Sequence, residues 1–469
     1  MNPAKIILIG LDAADRGLVE RWCNSGDLPV LRGMRDRGSH GRLLTPPGLA
    51  DDSVWASFAT AVSPGKHGRF FWQVLEPGSY ETRMCREQIP PVKPFWVDLS
   101  EAGRRVAVVD VPKCPHTPGL NGIQISDWLV HGRDYAKTCS WPPELADSVL
   151  GRFGDDATDR PGEAWMCRME ALPEEDMPAF RRHLLTGIEN KTRLASELLE
   201  QGEWDLFLVV FKEAHCVGHQ CWPAVGRDDD PVKEVYQALD RAVGDLVERA
   251  GPQARAIVFS DIGMSSNETG EHFLNGLLQR LEPGLMTWRQ RLRLIGRTAG
   301  GSREPANRLI YPLHHNEISG AIRFNLVGRE PAGLVRPGQE ESRLRQRLTE
   351  ALLALRDPES GGRVVETVLD TGTVFPGDER ERLPDLFAVW ARQGPLTGAA
   401  SDALGVMRAG PHGFRPGNHV PGGFFVSTGP GVAHGRGSME CSLLDVAPAV
   451  SRMLGVELVG REGQPSAAL

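Results

Sequence analysis

Apolar and polar positions alternate along the chain in two rhythms. Unbroken apolar runs of strand length, "KIILIGLD", "RRVAVVDVP", "DLFLVVF" and "ARAIVFSDIG", are separated by stretches whose apolar residues recur every three or four positions. The clearest of these stretches runs from Pro231 to Arg249, with Val235, Ala238, Leu239, Val243 and Leu246 on one face, and predicts an amphipathic helix. Runs rich in Val, Ile and Leu with no polar alternation suit strands covered on both faces. Such strands separated by helices predict an α/β fold, doubly wound, with a mainly parallel sheet flanked by helices. The shorter segments agree: "RGLVERWCNSGDLPVLRGMRDRG" reads as helix with a break at Pro29, "GRLLT" as a strand, "DDSVWASFATA" as a helix and "LLDVAPAVSRMLGV" as a final helix. From about 290 to 376 the chain is Gly- and Arg-rich, which predicts an inserted, cap-like segment and leaves 1–289 and 377–469 as the α/β core.

In open α/β sheets ligands gather at the carboxyl ends of the strands, and polar residues follow each predicted strand here. Asp12 ends the first, Asp51 and Asp52 follow the second and open a helix, and Asp261 closes "AIVFS". Any one of these carboxylates is explained as a helix cap. After "DLFLVVF" comes "FKEAHCVGHQCW", with His215 and His219 four residues apart. On a helix that spacing puts both imidazoles on one face, within reach of a single ion. His419, in "RPGNHVPGGFF", offers a third imidazole from a Gly/Pro-rich loop. Three imidazoles with three or four carboxylates are enough for two metal ions. Cys216 and Cys221 lie close by, as soft ligands or as filler.

Composition narrows the partners. With 469 residues, 24% charged and 41% hydrophobic, the chain has the make-up of a globular enzyme of more than one unit. A formal net charge of −8 argues against a nucleic-acid-binding protein. No apolar run approaches the roughly 20 residues that span a bilayer. The start of the chain lacks the apolar core of a signal peptide, and the eight cysteines include no C-x-x-C pair. Reduced thiols in the cytoplasm are expected. The expected partner is a small anionic molecule, not a nucleic acid or a membrane; a homodimer is left open.

Taken in order, the segments resemble the alkaline phosphatase superfamily, in its type I phosphodiesterase/nucleotide pyrophosphatase-like branch. The resemblance rests on "ILIGLDAAD", "VWASFATAVSPGKHG", "EAHCVGHQCW", "VFSDIGM", "AIRFNLVGREPAG", "LPDLFAVW", "GNHVPGGFFVSTGPG" and "LLDVAPAVSRMLGV". It implies an alkaline phosphatase-like fold with two divalent ions at the strand ends, zinc first, with manganese or iron as alternatives. It also implies that Asp12 and Asp261 serve one ion and His219 and His419 the other. Counting back from His67 in the P-G-x-H-G loop, the family's Ser or Thr nucleophile falls on Asp51. Two further departures accompany it. His215 stands where the family commonly has an Asp, and Ile262 follows Asp261 where a metal-binding His is usual. The implied ligand sets are His215, His219 and His419 for one ion, and Asp12, Asp51 and Asp261 for the other, with Asp52 in reserve.

Asp51 and Asp52 are the catalytic candidates. Arg323 and His67 are the substrate-binding candidates, the former because guanidinium suits bidentate recognition of phosphate or carboxylate. Polar loops at 127–133 and 314–316 offer further contacts. Three functions stay open: a metal-dependent hydrolase or group-transfer enzyme acting on a phosphate, phosphodiester or similar anionic ester; a metalloenzyme doing elimination, isomerisation or redox chemistry; and a binding protein without catalysis.

Overall fold

The computed structural model describes residues 4–50, 52–84, 91–129, 137–154, 170–295, 304–315, 318–410 and 414–469. The apolar runs become neighbours in one nine-stranded sheet. Ala4–Leu11 lies at its centre, parallel to Trp204–Phe211 on one side and to Arg255–Ser260 on the other. Val106–Val109 and Gly122–Ser126 continue the parallel order beyond Trp204–Phe211. Antiparallel pairing enters toward the edges, through Cys139–Trp141 on one flank and Gly423–Thr428 on the other. The expected α/β architecture, a large and mostly parallel sheet flanked by helices, is the one observed.

Strand geometry sends successive side chains to opposite faces, and the central strand feeds two cores accordingly. Ile7, Ile9 and Leu11 join one, Ile6 and Leu8 the other. The first core is closed by Pro231–Ala250, which starts at a proline and is capped by the Asp230 carboxylate accepting from Lys233 N at 3.0 Å. The second is closed by Asp52–Thr60 and Val446–Met453. Each large apolar side chain buried this way contributes about 1.5–3 kcal/mol.

A second, four-stranded antiparallel sheet runs in the order Ile310–Leu313, Ser319–Phe324, Leu386–Trp390, Val365–Asp370. Helices Glu271–Leu285 and Gln339–Leu353 pack on it in a separate core. This unit is larger than the expected 290–376 segment. "DLFAVW", expected in the main sheet, supplies its third strand, Leu386–Trp390. A short apolar run reads the same whichever sheet buries it, because the choice of partner strand is non-local.

Cys23, Cys114, Cys139, Cys216, Cys221 and Cys441 remain thiols. Among the described residues no helix is long and apolar enough to cross a membrane.

Candidate metal centre

Because Ala4–Leu11, Trp204–Phe211 and Arg255–Ser260 are parallel, the residues that follow them share one edge of the sheet. Asp12 and Asp261 stand there directly. Trp204–Phe211 turns at Lys212 into helix Glu213–Cys221, every residue of which is buried. His215 and His219 lie one turn apart on it, as the spacing predicts. His419 arrives from far along the chain, on a two-stranded ribbon in which Gly417–Val420 pairs with Gly263–Ser266. The ribbon approaches the helix closely because two glycines face each other: a Cβ at Gly417 would sit 2.0 Å from the Gly218 carbonyl oxygen.

The outcome is a triangle of buried imidazoles. Ring centroids of His215, His219 and His419 are 4.5–4.8 Å apart, and one ligand atom from each lies within 4.8 Å of the others. The rings are 5%, 0% and 0% exposed. Burial, then the nearby Arg415 guanidinium and the other two rings, holds His219 well below the usual histidine pKa, so its ring is neutral and keeps a lone pair. Its Nδ1–H donates to the Gly417 carbonyl at 2.9 Å, while Nε2 is buried with no hydrogen-bond partner. A buried polar nitrogen costs free energy unless something satisfies it, and a ring of neutral imidazole lone pairs suits a divalent cation such as zinc. These residues fit a metal ion. Among the described residues this is the one place where three or more metal-type donors converge.

Asp12 lies against this triangle, and Asp261 follows the neighbouring strand on the same sheet edge. Asp12 Oδ2 is 3.0 Å from His215 Nδ1, and its Oδ1 accepts from the Trp55 indole N–H at 2.9 Å. Asp261 Oδ1 accepts from Ala13 N at 3.0 Å. Ile262, in place of the family's histidine, is fully buried in the apolar core. Asp51 lies outside the described residues, as do His131, Arg133 and Asn316. Asp52 is the first residue of its helix, and its side chain falls outside the description as well.

The two expected substrate contacts have other duties. Arg323, 1% exposed, donates through Nε to Glu330 at 2.9 Å and through a terminal N–H to the Leu383 carbonyl, inside the smaller sheet. Burial forces a guanidinium to find a carboxylate, and this one has found its own. Arg323→Met is expected to lower stability by on the order of 1–3 kcal/mol and to leave KM unchanged, as urea denaturation and initial rates together would show.

His67 is fully buried. Its Nε2 lies 2.9 Å from the Ser57 hydroxyl, and its Nδ1 accepts from Arg69 N at 3.2 Å. Burial, with Arg69 beside it, depresses its pKa to about 3. It is a neutral tie between helix and loop rather than a cation for substrate. The unfolded ring takes a proton near pH 6.5 that the native ring refuses. Stability is therefore fully present above 6.5 and falls by about 1.4 kcal/mol per unit as pH drops toward 3. His67→Gln should flatten that slope between pH 6.5 and 4 in thermal melts; an unchanged slope would assign the acid sensitivity elsewhere.

Sequence reading missed a second group on the same edge. Asp110 follows Val106–Val109, and it accepts from Lys191 Nζ at 2.8 Å, Lys212 Nζ at 2.9 Å and Trp128 N at 3.0 Å. Glu213 lies 3.9 Å from Lys191. A polar residue at a strand end was the available signal for Asp110, the same signal that marked Asp12. Arg415, 6% exposed and close enough to His219 to act on its pKa, was missed too. Ala13, Asp110 and Asp127 carry φ of 52°, 58° and 58°, conformations that cost non-glycine residues about 1–3 kcal/mol and cluster at functional sites.

Comparisons with known proteins bear on the family and the fold. The family model described as type I phosphodiesterase / nucleotide pyrophosphatase matches residues 6–415. No curated protein matches the chain. A crystal structure of phosphonoacetate hydrolase from Sinorhizobium meliloti 1021, in complex with phosphonoformate, is similar with a TM-score of 0.56 at 16% identity, over 95% of this chain and 94% of that one. Murine ectonucleotide pyrophosphatase / phosphodiesterase 5 in complex with AMP is similar at 0.53 and 13% identity, over 98% and 97%. The human counterpart is similar at 0.52 and 13% identity, over 98% and 97%. At these identities the likeness is one of fold.

Proposed function

The chain belongs to the type I phosphodiesterase / nucleotide pyrophosphatase family, and we propose that it is a metal-dependent hydrolase of phosphate, phosphodiester or phosphonate anions. The observation that carries this reading is the convergence of His215, His219 and His419, buried and drawn from two distant segments. A divalent ion held there would polarise the substrate's oxygen atoms and lower the pKa of attacking water. Imidazoles bind a cation in their neutral form, so an ion held there would keep its positive charge toward an anion. Arg415 adds a buried guanidinium beside His219. Asp51, at the position the resemblance gives to the nucleophile, is the carboxylate we assign to the reacting end, as covalent acceptor, base or ligand. The resemblance on its own implies a second ion on Asp12, Asp51 and Asp261, with Asp52 in reserve. Similar structures hold phosphonoformate, phosphonoacetate and AMP, all phosphorus-bearing anions, which supports this substrate class. A reducing, cytoplasmic setting suits the thiols.

The test is hydrolysis of bis(p-nitrophenyl) phosphate, p-nitrophenyl phosphate and phosphonoacetate, before and after chelation and with zinc or manganese restored. Cleavage lost on chelation and regained with metal supports the reading. Metal-loaded protein that turns over none of them would sink it and favour non-hydrolytic chemistry.

A further inference from the structure

We infer that this chain is built to hold one metal ion, on Nε2 of the three imidazoles, and that Asp12 positions His215 instead of ligating a second ion. The inference rests on the metal-dependent reading above and narrows it.

The argument begins with the two oxygens of Asp12. An ionised carboxylate only accepts hydrogen bonds. Facing His215 Nδ1 at 3.0 Å, Asp12 Oδ2 fixes the tautomer with the proton on Nδ1. The His215 lone pair is then on Nε2, the same atom that His219 presents once its own Nδ1–H has gone to the Gly417 carbonyl. Two rings are thus set to offer the same type of donor by different second partners, one a carboxylate and one a carbonyl. Such outer partners set ring orientation and raise ligand basicity.

The other oxygen, Oδ1, is held by Trp55, a fully buried side chain of helix Asp52–Thr60 packed against Phe259. Asp12 is therefore held on both sides by N–H donors, within a pocket that leaves it 1% exposed. Both oxygens of Asp12 are thus committed to hydrogen bonds that a further cation would have to share or displace. Nearby, Asp261 gives one oxygen to the backbone N–H of Ala13, and residue 262 is an isoleucine in the apolar core. The imidazole at 215 engages Asp12 at 3.0 Å, and the isoleucine at 262 offers no donor to a second ion. Three nitrogen ligands and no carboxylate make a neutral donor set, suited to a borderline ion such as zinc or cobalt(II) rather than to magnesium.

The experiment counts metal without reference to activity. Chelated protein is titrated with zinc and with cobalt(II), and bound metal is measured by plasma mass spectrometry alongside the visible cobalt spectrum. One equivalent per chain is expected. Asp12→Asn, which keeps an acceptor for Nδ1–H, should still bind one equivalent but about 10-fold more weakly, and Asp12→Ala about 100-fold more weakly, within the range for lost outer-shell partners. Both should shift the cobalt spectrum. A protein damaged only in its fold would not show this graded order. Trp55→Phe, which removes only the indole N–H, gives a milder variant should Asp12→Ala fail to fold, and is expected to weaken binding while keeping one equivalent. Two equivalents in the unmodified protein, falling to one in Asp12→Asn, would overturn the inference. So would one equivalent with affinity indifferent to Asp12. If metal binds as expected but no phosphoryl substrate is cleaved, the hydrolase reading fails and the one-ion inference stands.

Discussion

Replacing His219 with alanine should remove both metal and turnover, because the proposed site loses a fully enclosed ligand. His219 is 0% exposed, neutral by burial, and oriented by the Gly417 carbonyl at 2.9 Å. The two remaining rings cannot close a tight site, so metal should fall well below one equivalent at micromolar zinc. Charge stabilisation by a bound ion is worth several kcal/mol, and each 1.36 kcal/mol is tenfold in rate. Hydrolysis should therefore drop by roughly 10³-fold or more. Elemental analysis and initial rates on the same preparation decide it. His419→Ala should behave alike, since its ring completes the triangle from the ribbon. Full metal content with full turnover in either variant would show that the triangle is not the metal centre.

Asp110→Ala should be the most destabilising single change at this edge of the sheet. Asp110, Lys191, Lys212 and Glu213 are all nearly inaccessible. Burial works against the Lys191 ammonium, but Asp110 and Glu213 overcome it and leave its pKa above the usual lysine value. Two buried cations thus depend on two buried carboxylates, and Asp110 is bonded to both lysines. Removing one partner of such a pair costs about 3–5 kcal/mol, because the other charge is left buried and uncompensated. That is a large share of a typical total stability of about 5–15 kcal/mol. Asp110→Asn keeps acceptor geometry without charge and should fall between the two in urea denaturation. Because Lys212 and Glu213 lead into the histidine-bearing helix, metal affinity should decline in step with stability. Equal midpoints for Asp110→Ala and the unmodified protein would show that the quartet is not what holds this edge.

The features legible in the sequence carried local signals. The parallel strands were legible as unbroken apolar runs, and His215 and His219 as an i,i+4 pair. His419 was legible only through the resemblance, since a loop histidine has no local mark. The substrate contacts went astray for a shared reason. Arg323 and His67 have the right chemistry for an anion, but chemistry alone does not say whether a side chain already has a partner. Glu330 and Ser57 answered that, one from across a loop and one from a neighbouring helix turn. Trp55 stood within a quoted motif, yet its bond to Asp12 spans the gap between a strand end and the third helix after it.

By itself the sequence determined the α/β class and the family. Apolar periodicity and motif order are properties of the chain that survive without coordinates. Tertiary structure decided the rest: which sheet takes Leu386–Trp390, which cations are already paired, and that Asp12 faces an imidazole on one side and an indole on the other. These depend on contacts between residues far apart in the chain, and in a buried site of low dielectric the nearest partner sets each group's charge, tautomer and reach.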